Sequence, residues 1–172
     1  MNRKHYSPFH SLIQRMAATR LVASFLSHFL HYIDRPLLKW TNNRFSLTSF
    51  LAGIPVITLT TTGAKSGIRR TVPLVCILDG QDPTTFALIA SNWGQRHYPA
   101  WYHNLKAHPR ATCSIFGQAA EYQAHEATRE EYGKFWQGAV ETYMGFALYK
   151  ERACNRRIPI MVMRPIAKTN EK

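Results

Sequence analysis

The stretch from Pro55 to Leu105 constrains the chain most. It opens on Val56-Ile57-Thr58-Leu59-Thr60-Thr61-Thr62, a run of β-branched residues that predicts a strand. A polar loop follows, Gly63-Ala64-Lys65-Ser66-Gly67-Ile68-Arg69-Arg70, and then a second strand from Thr71 to Leu78. A third strand is expected at Thr85 to Ser91, then a loop from Asn92 to Pro99 and the aromatic run Trp101-Tyr102-His103-Asn104-Leu105. Glycines on both sides of Lys65 and Ser66 let the backbone turn sharply and present N–H groups, and concave N–H sets bind anions. Lys65, Arg69 and Arg70 add positive charge at the same place, so the loop reads as a phosphate grip between two strands. The competing reading is three solvated loop charges. A Walker loop is excluded, because the Gly-x-x-x-x-Gly-Lys-Ser/Thr spacing is missing.

The rest of the chain supplies more short strands and a few helices. From Ser11 to Ile33 the apolar residues recur in steps of three and four, which predicts an amphipathic helix. Arg15, Arg20, His28 and His31 interrupt it, so neither a spanning helix nor a signal peptide is expected. Two readings stay open: a helix packed on the body of the protein, or a basic helix lying on an anionic membrane. We therefore divide the chain into a basic helical extension over 1–40 and a cofactor-binding domain over 41–172. Asp79-Gly80 marks a hairpin. A helix is expected over Tyr98 to Ala107, strands over Ala111 to Phe116 and Ala119 to Ala127, and a last strand over Ile158 to Met163. Thr128 ahead of Glu130 and Glu131 suits a helix start, and Gly145 weakens that helix near its end. About six strands, mostly in antiparallel hairpins, with peripheral helices give an α+β chain built on a small closed or split barrel.

No nucleophile elbow and no His-Glu-x-x-His pair occurs, and acids are sparse. Such a chain points to chemistry carried by a bound cofactor, with the protein supplying position and electrostatics. The formal charge of +12 favours anionic partners: phosphorylated ligands, nucleic acid or anionic lipid. No recognised RNA or DNA motif is present, so specific nucleic-acid binding is not expected. Cys76, Cys113 and Cys154 are far apart and odd in number, which argues against a zinc site or a disulfide framework and for a cytoplasmic setting. Tyr143, Phe146 and Tyr149 recur every three residues and would share one face of a helix, which by spacing alone reads as a core stripe.

Two blocks carry a resemblance. Leu59-Thr60-Thr61-Thr62-Gly63-Ala64-Lys65-Ser66-Gly67 with Arg70-Thr71-Val72-Pro73-Leu74, and Ala90-Ser91-Asn92-Trp93-Gly94 with Pro99-Ala100-Trp101-Tyr102-His103-Asn104-Leu105, resemble the signatures of the deazaflavin (coenzyme F-420)-dependent nitroreductase and quinone reductase family. Tyr143, Tyr149, Arg152 and Arg157-Ile158-Pro159 are similar to its closing segment. The resemblance implies a split β-barrel of the flavin-reductase type. It also implies coenzyme F-420, with FMN as the alternative, and hydride transfer to a quinone or nitroaromatic acceptor.

Carried over position by position, Ala64, Lys65 and Ser66 would hold the anionic part of the cofactor, and Arg70, Thr71, Val72, Pro73 and Leu74 would line the next strand. Ile89, Ala90, Ser91 and Asn92 would flank the ring with backbone groups, while Trp101, Tyr102 and Asn104 would close the pocket. Ser91, Tyr143 and Tyr149 would stabilise or protonate the acceptor, beside Phe146. Three positions depart from the family: Ala64 replaces a common arginine, Tyr98 a common histidine, and Phe146 a tyrosine found in some members. A non-catalytic carrier of cofactor or lipid at the membrane surface is the remaining alternative. Peripheral contact with the inner face of the cell membrane would suit a lipid-soluble acceptor, and the oligomeric state is left open.

Overall fold

The structure is a computed structural model that describes residues 54–115, 118–154 and 156–166. The expected N-terminal helix and the division at residue 40 lie outside the described residues. In chain order the elements are β1 (Val56–Thr62), β2 (Arg69–Leu78), β3 (Phe86–Ile89), a short 3-10 turn (Asn92–Gly94), α1 (Ala100–Ala107), β4 (Arg110–Ile115), β5 (Gln118–Glu126), α2 (Arg129–Thr142), α3 (Gly145–Arg152) and β6 (Ile160–Pro165). The strands form a closed barrel in the order β1-β2-β3-β6-β5-β4. Every pairing is antiparallel, and Leu59 opposite Cys113 lies in the short β1–β4 ladder that closes the ring.

Alternation along the strands builds two cores. Phe86, Leu88, Met161 and Met163 join Ile57, Leu59, Cys76, Cys113 and Tyr122 in one cluster, which α1 completes with Trp101 and Leu105. Their neighbours Ala87, Ile89, Ile160 and Val162 face the other way and meet Phe135 and Ala139 of α2 with Phe146 and Tyr149 of α3. A period of two therefore separates the barrel interior from the layer under the helices. Burying a large apolar side chain contributes roughly 1.5–3 kcal/mol, so both clusters matter to stability. The Cys76 and Cys113 thiols lie within the interior, where burial pushes each pKa up to about 12. They are apolar filling and stay protonated.

The strand boundaries agree with the sequence expectations to within about two residues at most ends. The differences have causes. The third strand ends at Ile89 instead of Ser91, because the Ala90 N–H donates to Pro159 and the chain then turns. The helix expected to run on past Tyr143 is two helices: Tyr143 is extended (φ −150°, ψ 109°), and α3 starts afresh at Gly145.

The α2 start is a full capping box, in which the Thr128 hydroxyl accepts from the Glu131 N–H at 3.3 Å and the Glu131 carboxylate accepts from the Thr128 N–H at 2.9 Å. The same carboxylate meets His125 of β5 at 3.0 Å and Arg164 of β6 at 3.1 Å, so the cap also ties α2 to the barrel. Thr128→Ala should lower stability by about 1 kcal/mol, read from the denaturant midpoint, without changing the far-UV signature of the fold. An unchanged midpoint would show that the cap adds nothing to a helix already held by Phe135.

Candidate functional site

One cleft of about 870 Å³ brings the two sequence blocks and the aromatic stripe together. That volume lies in the usual range for small-molecule sites, roughly 300–1,000 Å³. Its walls are β2, the segment after β3, the start of α1, and the Tyr143–Tyr149 stretch. Arg70 is among the lining residues, together with His97 and His103, and no carboxylate is among the described ones. A shallower hollow of about 420 Å³ beside Thr62, His108 and Arg110 has none of these aromatic walls.

Arg70, Thr71, Val72, Pro73 and Leu74 all line the cleft, as expected for the second strand. Ile89 lines it from the end of β3, Ser91 and Asn92 from the segment that follows, and Trp101 and Asn104 from α1. Tyr143, Phe146 and Tyr149 form the opposite wall. Five expected residues are not part of the lining. Ala90 is fully buried in the barrel interior. The Tyr102 hydroxyl is turned to Glu126 of β5 at 3.1 Å, and burial above all pushes its pKa up to about 12. Ala64, Lys65 and Ser66 are exposed in the loop between β1 and β2, at the rim.

That loop is less open to an anion than its glycines imply. The Gly63 N–H donates to Ile68, the Gly67 N–H to Gly63, and the Ile68 N–H to the Ser66 hydroxyl. The Ala64 N–H donates to Asn104 Oδ1 at 3.0 Å, and Asn104 Nδ2 donates to Thr61 Oγ1 at 3.0 Å. The buried Asn104 thus latches the loop to α1. Only the Lys65 and Ser66 N–H groups lack a partner among the described loop residues. Gly67 is needed for its backbone, with φ +66°. Arg69 leaves the expected grip, because its guanidinium donates to Thr112 of β4 at 2.7 Å. Its neighbour Arg70 is the one that lines the cleft, as alternation along a strand requires.

The segment after β3 is strained. Asn92 (φ 49°), Trp93 (φ 58°) and Gly94 (φ 79°) are consecutive left-handed residues, a conformation that costs a non-glycine residue roughly 1–2 kcal/mol. Gly94 permits close packing: a Cβ there would stand 2.8 Å from Arg152 Cβ and 3.1 Å from the Tyr149 carbonyl oxygen. Trp93 packs edge-on against Tyr149 at 5.9 Å between centroids. The main-chain groups expected to flank a ring are largely engaged within the protein: Ser91 N–H donates to Ile89, and the Ala90 and Ser91 carbonyls accept from Arg156. Sequence reading missed Arg156, which stands beside the Arg157 of the closing motif. It also gave no role to Trp93, which the cleft uses as a wall. A non-glycine residue in a left-handed turn leaves no mark in composition.

Tyr143 and Tyr149 meet despite the break between helices, with hydroxyl oxygens 3.1 Å apart. Both residues are buried, and burial raises both pKa values. Their mutual hydrogen bond acts in opposite directions, lowering the pKa of Tyr143 and raising that of Tyr149. Either hydroxyl can be the donor in this bond, so each can offer its proton to its partner or to a neighbour in the cleft. Gly145 makes the arrangement possible: the Tyr143 ring stands where a Cβ of residue 145 would be. Sequence reading took this glycine only as a helix weakener. The Ser91 hydroxyl has no protein partner among the described residues, and the residue lines the same cleft. Those residues also hold no cluster of histidine, cysteine or carboxylate able to bind a metal.

Comparison with known proteins agrees with this geometry. The family described as F420H(2)-dependent quinone reductase matches residues 39–165. An F420H(2)-dependent quinone reductase of Mycobacterium tuberculosis is 34% identical over 115 residues, covering 63% of this chain and 72% of that protein. Among solved structures, an F420-H2 dependent reductase (FDR-A) is 34% identical with a TM-score of 0.58, covering 64% of this chain and 94% of that one. Another, described as a domain-swapped dimer, is 31% identical with a TM-score of 0.60 and covers 77% of this chain and 94% of its own. The deazaflavin stands in the name of the matched family, so FMN is not favoured as the cofactor. By its sequence match and its barrel, the chain belongs to the F420H(2)-dependent quinone reductase family.

Proposed function

We propose that this chain is an oxidoreductase that passes a hydride from reduced coenzyme F-420 to a quinone, with nitroaromatics as adventitious acceptors. The observation that carries the reading is a single cleft with a cationic, hydroxyl-bearing strand on one side and the buried Tyr143–Tyr149 pair on the other. The chemistry of the lining suits the cofactor: aromatic and apolar walls for a flat ring system, Arg70 for an anionic group, and no carboxylate among the described lining residues to repel it. Coenzyme F-420, when bound, supplies the hydride from its reduced deazaflavin ring.

The protein's residues have three tasks. Arg70 and Thr71 hold the anionic part from β2, with the Lys65 side chain and the N–H groups of Lys65 and Ser66 at the rim. Val72, Pro73, Leu74 and Trp101 exclude water from the reacting faces and hold them near one another, and proximity is the largest contribution such a site offers. Tyr143, backed by Tyr149, donates a hydrogen bond to the acceptor oxygen as negative charge develops there, and Ser91 is the second donor. Phe146 contributes packing alone, since it has no proton to give. Arg69 takes no part, being held by Thr112.

This setting suits a cytoplasmic protein that touches an anionic membrane surface through the basic segment over 1–40, because quinones partition into lipid. No described helix is long and apolar enough to cross a membrane. A dimer is compatible with the domain-swapped assembly of the relative described above.

Steady-state oxidation of reduced F-420 with a soluble quinone analogue tests the reading: turnover supports it, and binding without turnover makes the chain a carrier. Arg70→Ala should weaken F-420 binding on the scale of a charge-assisted hydrogen bond, roughly 1.5–3 kcal/mol, while Lys65→Ala, at the exposed rim, should lose less. Equal affinity in both variants and the wild type would place the anionic group elsewhere. Tyr143→Phe should lower quinone turnover by up to about 10²-fold with F-420 affinity retained. It should also lower the melting temperature, because the buried Tyr149 hydroxyl is left unpaired at a cost of about 1–3 kcal/mol. The double change Tyr143→Phe with Tyr149→Phe should recover stability but not turnover. Gly145→Ala should reproduce the turnover defect by displacing the Tyr143 ring. Normal turnover in all of these variants would reduce the pair to core packing.

A further inference from the structure

We infer that Arg156 is a positioning residue that holds the cleft-facing segment from Ala90 to Tyr98 in its working shape. The residue follows α3, and its guanidinium reaches back across the cleft's edge. Nε donates to the Gln95 carbonyl at 3.1 Å, Nη2 to the Ser91 carbonyl at 2.9 Å, and Nη1, more distantly, to the Ala90 carbonyl at 3.5 Å. The Arg157 carbonyl accepts from Nη1 at 3.4 Å, and the guanidinium carbon lies 4.7 Å from the centre of the Tyr98 ring. The planar five-donor fork of arginine is what allows one side chain to gather several carbonyls at fixed angles while stacking on an aromatic face.

The segment needs such a hold. Between Ser91 and Gln95 lie the left-handed Asn92 and Trp93, a conformation that persists only where the surroundings over-determine it. Internal bonds supply part of this, with Asn92 Nδ2 donating to the His97 carbonyl at 3.1 Å and to Gln95 Oε1 at 3.3 Å. Arg156 adds the bonds that tie the segment to the C-terminal end of α3, the element that carries Phe146 and Tyr149. Ser91, Asn92, Trp93 and Tyr98, all within the clamped segment, line the cleft. No carboxylate pairs with Arg156 among the described ion pairs, so its charge is directed at carbonyl dipoles.

The functional half of this inference rests on the F-420 reading, and the experiment separates the two. Amide hydrogen exchange on the ligand-free protein compares the wild type with Arg156→Lys and Arg156→Ala. Exchange across residues 90–98 should quicken by at least about ten-fold in both variants while β1 and β4 keep their protection. Lysine should not rescue, because one ammonium cannot reproduce the fork. In the same folded samples the Kd for F-420 should rise by about ten-fold or more, since small misplacements cost a site heavily. Guanidinium ion at a non-denaturing concentration should partly reverse both effects in Arg156→Ala. Unchanged exchange at 90–98, or a uniform rise over the whole barrel, would overturn the clamp. Quickened exchange with unchanged affinity would overturn its positioning role. A wild type that does not bind F-420 would overturn the cofactor reading, and the exchange data would still judge the clamp.

Discussion

The two-faced pairing of β3 with β6 is the constraint on which the remaining structure depends. Leu88 opposite Met161 faces the barrel interior, and Ala87 opposite Val162 faces the layer under α2 and α3. A slip of one residue would exchange the two faces and lose both cores at once, so the register is strongly specified. That register fixes the cleft. β3 and the turn after it deliver Ile89 and Ser91 to one wall, and the outer face of the same pair seats the helix that carries Phe146 and Tyr149. The site is therefore a by-product of closing the barrel and covering one side of it, with little left to flexible loops.

Much of this was legible in the residues. The β1 run, the Asp79-Gly80 turn, the helix start at Thr128 and the antiparallel succession of strands are local signals, and local signals are what periodicity and turn chemistry report. The two glycine-bearing blocks located β2, the segment after β3 and the start of α1, and these do meet at one cleft. What escaped depends on three-dimensional neighbours. Arg69 and Arg70 look equivalent in the chain, yet alternation sends one to Thr112 and the other to the cleft. Gly145 looks like a poor helix residue, yet its missing Cβ is the space taken by the Tyr143 ring. Arg156 looks like one more cation in a basic chain. Its importance lies in which carbonyls it reaches, more than sixty positions earlier for Ser91 and Ala90.

The site also shows how a chain with few acids can run redox chemistry. Among the described residues the cleft lining holds no carboxylate, its imidazoles are those of His97 and His103, and the buried tyrosines hold their protons more firmly than free phenols do. Such hydroxyls can donate a hydrogen bond, and a hydrogen bond in surroundings of low dielectric is stronger than in water. The two hydroxyls share one hydrogen bond, so each restrains the rotation of the other. The exposed loop with Lys65 and the cationic β2 end give the opposite kind of contact, wet and charged, suited to the solvated end of a large anionic cofactor.

The most direct test of the account is equilibrium titration of the wild-type protein with coenzyme F-420 and, separately, with FMN, followed by fluorescence at moderate ionic strength. Saturable binding of F-420 with no saturable binding of FMN in the same range is the predicted result. Preference for FMN, or no binding of either, would contradict the assignment of this cleft to a deazaflavin.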